Sequence, residues 1–425
     1  MSFSHYLDYM LMFAYYYPLF MSYVWMIGAT QYYIRWERKN DDYKTPPKLP
    51  SYPPVSLIVP CHNEGENVEE TIQALTEQNY PNIEVIAVND GSSDNTGKIL
   101  DNLSERYPSL RIVHLVENQG KAVALRMGAM ASPNEFLICV DGDALLDPNA
   151  TTWMMKHFLA SPKVGAITGN PRIRTRSTLL GKIQVGEFSS IVGLIKRAQR
   201  VYGQVFTISG VIAGFRKSAL QDVDYWSIDA ITEDIDISWK LQMAKWQIRF
   251  EPNALCWILM PETFKGLWRQ RLRWAQGGME VISRNFKHFF HWHQRRLWLL
   301  VIEYLVSVLW AYTVVTLFII WLIIHLFPEA GNLPALSILP GTTSVALVMT
   351  CLLQFALSLF IDSRYEKGIG KYYYWIIWFP IAFWLLNVFT TVVGVPKALI
   401  KRRGVRATWT SPDRGIRNKE NKHEQ

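Results

Sequence analysis

The sequence predicts an α/β domain built on a mostly parallel sheet and set between membrane-spanning helices at its N- and C-terminal sides. Three observations carry this. Between residues 55 and 147, short apolar runs alternate with amphipathic stretches, and strands alternating with helices indicate parallel βαβ units. Long apolar segments stand at 7–34 and again beyond 297, near the length that crosses a bilayer. The 425 residues include 17 Trp, 20 Tyr and 20 Phe with a net charge of +8, an enrichment suited to membrane–water interfaces and anionic headgroups.

Residues 1–36 read as an N-terminal transmembrane helix. The apolar run lacks a basic leading region and a small-residue cleavage site, so it is not read as a signal peptide. Arg35, Arg38 and Lys39 behind it mark a cytoplasmic end. Residues 37–54 are a polar, proline-rich linker. The α/β domain takes 55–260 and opens with the strand VSLIVP. CHNEGENVEETIQAL supplies a turn and helix, and NIEVIAVNDGSSDNT a strand, an acidic Gly turn and a helix start. A strand at 111–115, the turn and helix NQGKAVALRMGAM, and the strand in EFLICVDGDALLD follow. Residues 164–220 are less regular, and 232–248 begin as a helix with Thr232 as its N-cap.

Residues 261–296 are basic, aromatic and amphipathic, the pattern of helices lying on a membrane surface. His288, His291 and His293 there are read as interfacial, because no acidic ligand accompanies them. Residues 297–400 hold about three hydrophobic segments, at 297–327, 345–361 and 373–395. Glu303, early in the first, is expected to face protein or the interface. The basic, polar tail at 401–425 predicts a cytoplasmic C-terminus. Three full crossings would put that tail on the wrong side, so one segment is expected to be re-entrant or broken. Cys61, Cys139, Cys256 and Cys351 have neither zinc nor disulfide spacing.

Two of the predicted strands end in carboxylates: Asp90 in one, Asp141 and Asp143 around Gly142 in the other. Ligands of open α/β sheets sit at the carboxyl ends of the strands. Paired carboxylates there suit a divalent cation and, through it, a phosphate, although an Asx-Gly turn alone accounts for the same residues. Gly210 and Gly214 permit a close backbone approach to a ligand or simply tight packing. The basic excess is assigned to lipid headgroups or a phosphate-bearing substrate, with no nucleic-acid partner expected.

VNDGSSDNT, DGD, TED and QRLRW, in that order and followed by membrane segments, resemble the processive, membrane-embedded family 2 glycosyltransferases, the group of cellulose, chitin and hyaluronan synthases. The likeness covers nearly the whole chain. It is greatest to the bacterial branch that polymerises N-acetylglucosamine from UDP-GlcNAc into a β-1,6-linked biofilm exopolysaccharide.

The resemblance implies a GT-A type nucleotide-sugar-binding domain. Asp90 would contact the uridine, and Glu64 would help to frame the same pocket. Asp141 and Asp143 would hold Mg²⁺ or Mn²⁺, with Asp141 also on the donor side. Asp234 of TED would be the general base, with Glu233 beside it near the acceptor. Gln270, Arg273 and Trp274 would form the QxxRW motif, the cation facing the leaving diphosphate and Trp274 lining the acceptor site. Lys121 is a further candidate for the donor phosphates, and Arg172 for phosphate or acceptor; for both, a solvated surface position is the alternative.

The resemblance also implies placement in the bacterial inner membrane with the catalytic domain in the cytoplasm, export of the growing polysaccharide, a small two-span membrane partner and indirect control by cyclic di-GMP. A hyaluronan- or chitin-type synthase needs no different motif. A nucleotide-binding transporter or receptor is the non-enzymatic alternative.

Overall fold

The computed structural model describes residues 3–38, 42–327, 342–402 and 404–407. The chain enters through α1 (Phe3–Tyr32), which a π-helical turn continues to Glu37. The domain then alternates β1 (Val55–Cys61), α2 (Val68–Thr76), β2 (Ile83–Asp90), α3 (Thr96–Arg106), β3 (Leu110–Leu115), α4 (Lys121–Ala131) and β4 (Phe136–Val140). A two-residue β5 (Leu145–Leu146) and α5 (Ala150–Ala160) lead to β6 (Val164–Ile173). Next come α6 (Leu179–Glu187), a π-helical stretch at Phe188–Leu194, and α7 (Ile195–Tyr202). β7 (Ile212–Arg216), α8 (Lys217–Asp222), α9 (Glu233–Met243) and β8 (Gln247–Ile258) complete the domain. Beyond it lie α10 (Phe264–Phe289), α11 (Trp298–Leu326), α12 (Thr342–Asp362), α13 (Tyr373–Ile376) and α14 (Phe379–Ile400).

The eight strands form one sheet in the order β3-β2-β1-β4-β7-β6-β8-β5. β3, β2, β1 and β4 are mutually parallel, as the alternating pattern predicts. β7 runs antiparallel to both of its neighbours, and β8 is parallel to β6. Helices cover both faces, which is why the inner strands read as continuous apolar runs rather than alternating ones. Leu57 and Val59 of β1 pack on the α2/α5 side, while Ile58 between them packs with Leu125 and Ala129 of α4.

The stretch at 164–220 is more regular than its sequence suggests. It holds β6, the α6–α7 rod and β7. β6 is buried along its whole length and reads as mixed small, polar and apolar residues, VGAITGNPRI, so neither helical nor strand periodicity marks it. Thr232 occupies the N-cap position of α9 but makes no capping bond; Asp234 Oδ1 instead accepts from Ile235 N–H at 2.9 Å.

Among the described residues, four helical spans, His5–Glu37, Trp292–Leu326, Thr343–Asp362 and Phe383–Ile400, are long and apolar enough to cross a membrane. The first and third of these are tied to the domain by buried ions. Arg197 of α7 pairs with Glu37 at 2.6 Å and with Asp362 at the end of α12 at 3.1 Å. Arg172 of β6 pairs with Asp362 at 2.6 Å and Glu366 at 3.0 Å, and Tyr365 donates to Glu37 at 2.7 Å. Arg172 is therefore neither a phosphate contact nor a solvated surface group: it is 3 % exposed and wholly engaged by α12 and the turn after it. Glu303 faces protein, accepting from Trp25 Nε1 of α1 at 3.3 Å.

α14 starts beside α6 and α12, with Phe379 against Phe355 at 4.7 Å between ring centroids. It ends where the Lys401 ammonium meets Glu280 of α10 at 3.0 Å and the Asp229 carbonyl. The short tail returns to the domain: Gly404 N–H donates to Asp229, Ala407 N–H to the Ile228 carbonyl, and Arg406 to Gln119. The rest of the expected tail, 408–425, lies outside the described residues.

Candidate active site

β2, β1 and β4 are adjacent and parallel, so their carboxyl ends share one rim. That register brings Asp90, Glu64 and the DGD turn to neighbouring positions although they are far apart in sequence. Asp90 is fully buried, and its two oxygens accept the backbone N–H groups of Gln119 at 2.7 Å and Gly120 at 2.9 Å. It thereby fixes the turn that aims Lys121 at the start of α4. Glu64 is buried against the DGD turn: a side chain at Gly142 would meet Glu64 Cγ at 3.1 Å.

Lys121 joins the motifs. Its ammonium lies 2.6 Å from Asp141 Oδ1 and 3.1 Å from Glu233 Oε1, and it donates to the Gly210 carbonyl at 3.3 Å. One cation thus links the DGD turn, the TED turn and the Ser209–Gly210 loop. Burial works against its charge, but Asp141, Glu233 and Asp234 hold its pKa above the ordinary lysine range. Burial pushes the Asp141 carboxyl up to about 6, with Lys121 pulling it down and Asp143 and Glu233 pushing it further up. Asp141 and Asp143 therefore feel each other's charge, as a pair of cation ligands does.

Asp234 stands beside Glu233. Burial and the Glu233 charge raise its carboxyl above the usual range, while Lys121 and Arg273 draw it down. Glu233 goes the other way: burial opposes its charge, but Lys121 and Arg273 hold it low. Adjacent carboxylates with opposite shifts divide into one that keeps its charge and one poised to exchange a proton. Space is tight at Gly210, where a Cβ would lie 3.0 Å from Asp234 Oδ2.

QRLRW lies on α10, which closes on the TED turn through Gly277. A Cβ at that position would sit 2.0 Å from Thr232 Oγ1. Arg273 is exposed, and its charge acts on both Glu233 and Asp234. Gln270 is partly buried and donates weakly to Met260 Sδ at 3.8 Å. Trp274 lines a cavity of about 230 Å³ where α10 meets α14 and the π-helical stretch. Among the described residues no cluster of three or more His, Cys, Asp or Glu could hold a metal by itself, and the histidines at 288, 291 and 293 form none.

Sequence reasoning missed two buried groups near the site. Lys196 of α7 donates to Thr168 Oγ1 at 3.0 Å, and that oxygen also accepts Ser209 N–H at 2.8 Å. Burial pushes its pKa down to about 7 against the pull of Asp234. Arg271 and Glu187 form a buried pair at 2.6 Å. Lys196 belongs to no motif with a recognisable spacing, and Arg271 stands at a position of QRLRW to which the motif assigns no role.

The profile of glycosyl transferase family 2 matches residues 56–224. The chain is 40% identical over 410 residues to a poly-beta-1,6-N-acetyl-D-glucosamine synthase of Staphylococcus epidermidis, covering 95% of this chain and 98% of that protein. It is 40% identical over 404 residues to the enzyme of the same name from Staphylococcus aureus, again with 95% and 98% covered. Among solved structures it is similar to the mannosyltransferase PcManGT of Pyrobaculum calidifontis, solved with GDP-Man and Mn²⁺. The TM-score is 0.60 at 20% identity, with 91% of this chain and 99% of that one covered; this shows a shared fold. On these grounds the chain belongs to glycosyl transferase family 2, in the branch of the staphylococcal poly-beta-1,6-N-acetyl-D-glucosamine synthases.

Proposed function

We propose that this glycosyltransferase polymerises N-acetylglucosamine from UDP-GlcNAc into β-1,6-linked poly-N-acetylglucosamine and passes the product across the bacterial inner membrane as it grows. The observation that carries this is the Lys121 bridge, which holds the acidic motifs at one rim beside the QRLRW helix. Asp141 and Asp143 supply two anionic oxygens, a donor set that fits Mg²⁺ or Mn²⁺ only when diphosphate oxygens and water complete the shell. Bound there, the ion would stabilise negative charge on the leaving nucleoside diphosphate.

The protein's own groups do the rest. Asp90 orients the Gln119–Gly120 turn, and in the proposal this turn and Glu64 frame the nucleotide. Asp234 takes the proton of the acceptor hydroxyl, which is a poor nucleophile until a carboxylate accepts it. Glu233 stays charged and keeps Lys121 and Arg273 in place. Arg273 and Lys121 face the developing diphosphate charge, while Gln270 and Trp274 support the acceptor end. One base and a stabilised leaving group suffice for direct displacement, turning an α-linked donor into a β-linked product.

The domain lies on the cytoplasmic side in this reading. α1, α11 and α12 cross the bilayer, and α14 enters beside α6 and ends against Asp229 and Glu280 without crossing. Two crossings after the domain bring residues 401–407 back to its side and resolve the parity that three spans would break. A small two-span partner subunit and indirect cyclic di-GMP control complete the proposal. The test is to purify the full chain in membrane with any co-purifying partner, supply UDP-GlcNAc and Mg²⁺, and digest the product with a β-1,6-specific hexosaminidase. Complete digestion is expected. A resistant N-acetylglucosamine polymer would replace the linkage, and absence of UDP release would remove the enzymatic reading.

A further inference from the structure

Lys196 of α7 is a buried charge that the fold does not explain. It is 5 % exposed, and its one hydrogen bond among the described residues goes to Thr168 Oγ1 at 3.0 Å. An ammonium has three protons to donate, and burying it without a paired carboxylate costs stability. The other charges on its own helix and on the elements packed against it are engaged elsewhere. Arg197 holds Glu37 and Asp362, Glu251 bonds to His157, and Arg200 and Arg249 act on each other. The charge that acts on Lys196 is that of Asp234.

The two are joined through the loop Ile208–Gly210. Thr168 Oγ1, which holds Lys196, also accepts Ser209 N–H at 2.8 Å. Ser238 Oγ accepts Ile208 N–H at 2.9 Å and donates to the Asp234 carbonyl at 2.5 Å, so the same loop seats the TED turn. Gly210 packs on the Asp234 carboxyl, and its carbonyl accepts from Lys121 at 3.3 Å. Lys121 therefore grips the loop from the DGD side, and Lys196 grips it through β6.

This division matters once a donor is bound. Burial and Glu233 push the Asp234 carboxyl up, and Lys121 and Arg273 draw it down. Both of those cations also face the donor diphosphate in the proposed function, and its negative charge offsets theirs. A carboxyl that has already taken a proton cannot serve as base. We propose that Lys196 is a positioning residue for the transfer reaction: its ammonium, set behind the Ile208–Gly210 loop, seats that loop and keeps Asp234 ionised while the donor occupies Lys121 and Arg273. This rests on Asp234 being the base. Burial lowers Lys196 to about 7, so it is charged on the acid side, where Asp234 would otherwise protonate, and neutral on the alkaline side.

The test is the pH dependence of UDP release by the full chain in lipid nanodiscs, with Mg²⁺ and with UDP-GlcNAc varied from limiting to saturating. Lys196→Met should move the acid limb of kcat upward by about one pH unit. The limb of kcat/KM, which reports the enzyme without donor, should move less. The variant and the unaltered chain should converge above about pH 8, where Lys196 has shed its proton. Thr168→Val keeps the lysine but removes the acceptor of its hydrogen bond, so it should move the limb the same way; it covers the case in which Lys196→Met does not fold. An unmoved limb in a folded variant, or a loss by the same factor at every pH, overturns the role of Lys196. Asp234→Asn separates the two readings. If it is inactive while the limb stays unmoved, Lys196 alone is overturned; if it releases UDP normally, the base assignment falls and takes this role with it.

Discussion

Replacing Lys121 with Met removes the cation that joins Asp141, Glu233 and the Gly210 carbonyl while keeping the length of the side chain. At 2.6 and 3.1 Å, each ion pair is worth about 5–6 kcal/mol of attraction at an effective dielectric near 20. Against this stands the desolvation of a buried ammonium, several kcal/mol that the variant recovers. Losing one partner of a buried pair typically leaves a net cost of about 3–5 kcal/mol. Both carboxylates are mostly buried, 19 % and 10 % side-chain exposed, so solvent screens little of it. For a domain of this size the cost corresponds to a fall of roughly 6–20 °C in unfolding temperature. Tryptophan fluorescence of detergent-solubilised protein reads that shift. The Asp141 carboxyl, already at about 6, should rise further in the variant, so the destabilisation should shrink as pH falls from that higher value toward 6, the range in which the variant's folded Asp141 takes up a proton and the unaltered one does not. UDP release should fall by orders of magnitude at every pH. A variant that unfolds within about 2 °C of the unaltered chain and turns over normally would refute the view that Lys121 assembles the site.

Asp234→Asn should bind UDP-GlcNAc with near-normal affinity by calorimetry yet release no UDP; full polymer output would remove Asp234 as the base. Gly210→Ala puts a methyl 3.0 Å from Asp234 Oδ2, and a displaced base should cost about 100-fold in kcat with an unchanged unfolding temperature. Lys196 holds its proton to about pH 10.4 when unfolded but only to about 7 when folded. The unfolded state therefore binds more protons between these values, and stability should rise by roughly 2–3 kcal/mol from pH 7 to 9. Lys196→Met should lose that slope in urea titrations, and equal slopes would show that the ammonium is not buried as described. Arg402→Cys should be labelled by an impermeant maleimide from the same side of the membrane as Lys98→Cys; labelling from the opposite side would require α14 to cross.

The first half of the domain was legible because its physics is local. VSLIVP and EFLICV are covered on both faces, so burial alone makes them continuous apolar runs closed by turns. The acidic residues at their ends then fall on one rim. The second half was not legible: β6 carries Thr168, Asn170 and Arg172 in a fully buried strand, and what satisfies Arg172 lies at the end of α12 and in the turn after it, nearly two hundred residues away. For the site, motif order pointed to the right residue types, but Lys121 could not be distinguished from a solvated lysine until α4 was placed against β4 and α9. Arg271 hid inside QRLRW, where the eye goes to its neighbours.

The ion cluster where α1 and α12 meet the domain bears on how the protein is made. Glu37 is translated early and Asp362 late, yet both must reach Arg197, and Arg172 waits for Asp362 as well. Until α12 and the turn after it are made, Arg172 lacks both Asp362 and Glu366, and Arg197 has only Glu37. A chain truncated before α12 therefore keeps an uncompensated buried guanidinium at Arg172, a penalty of about 3–5 kcal/mol to the domain.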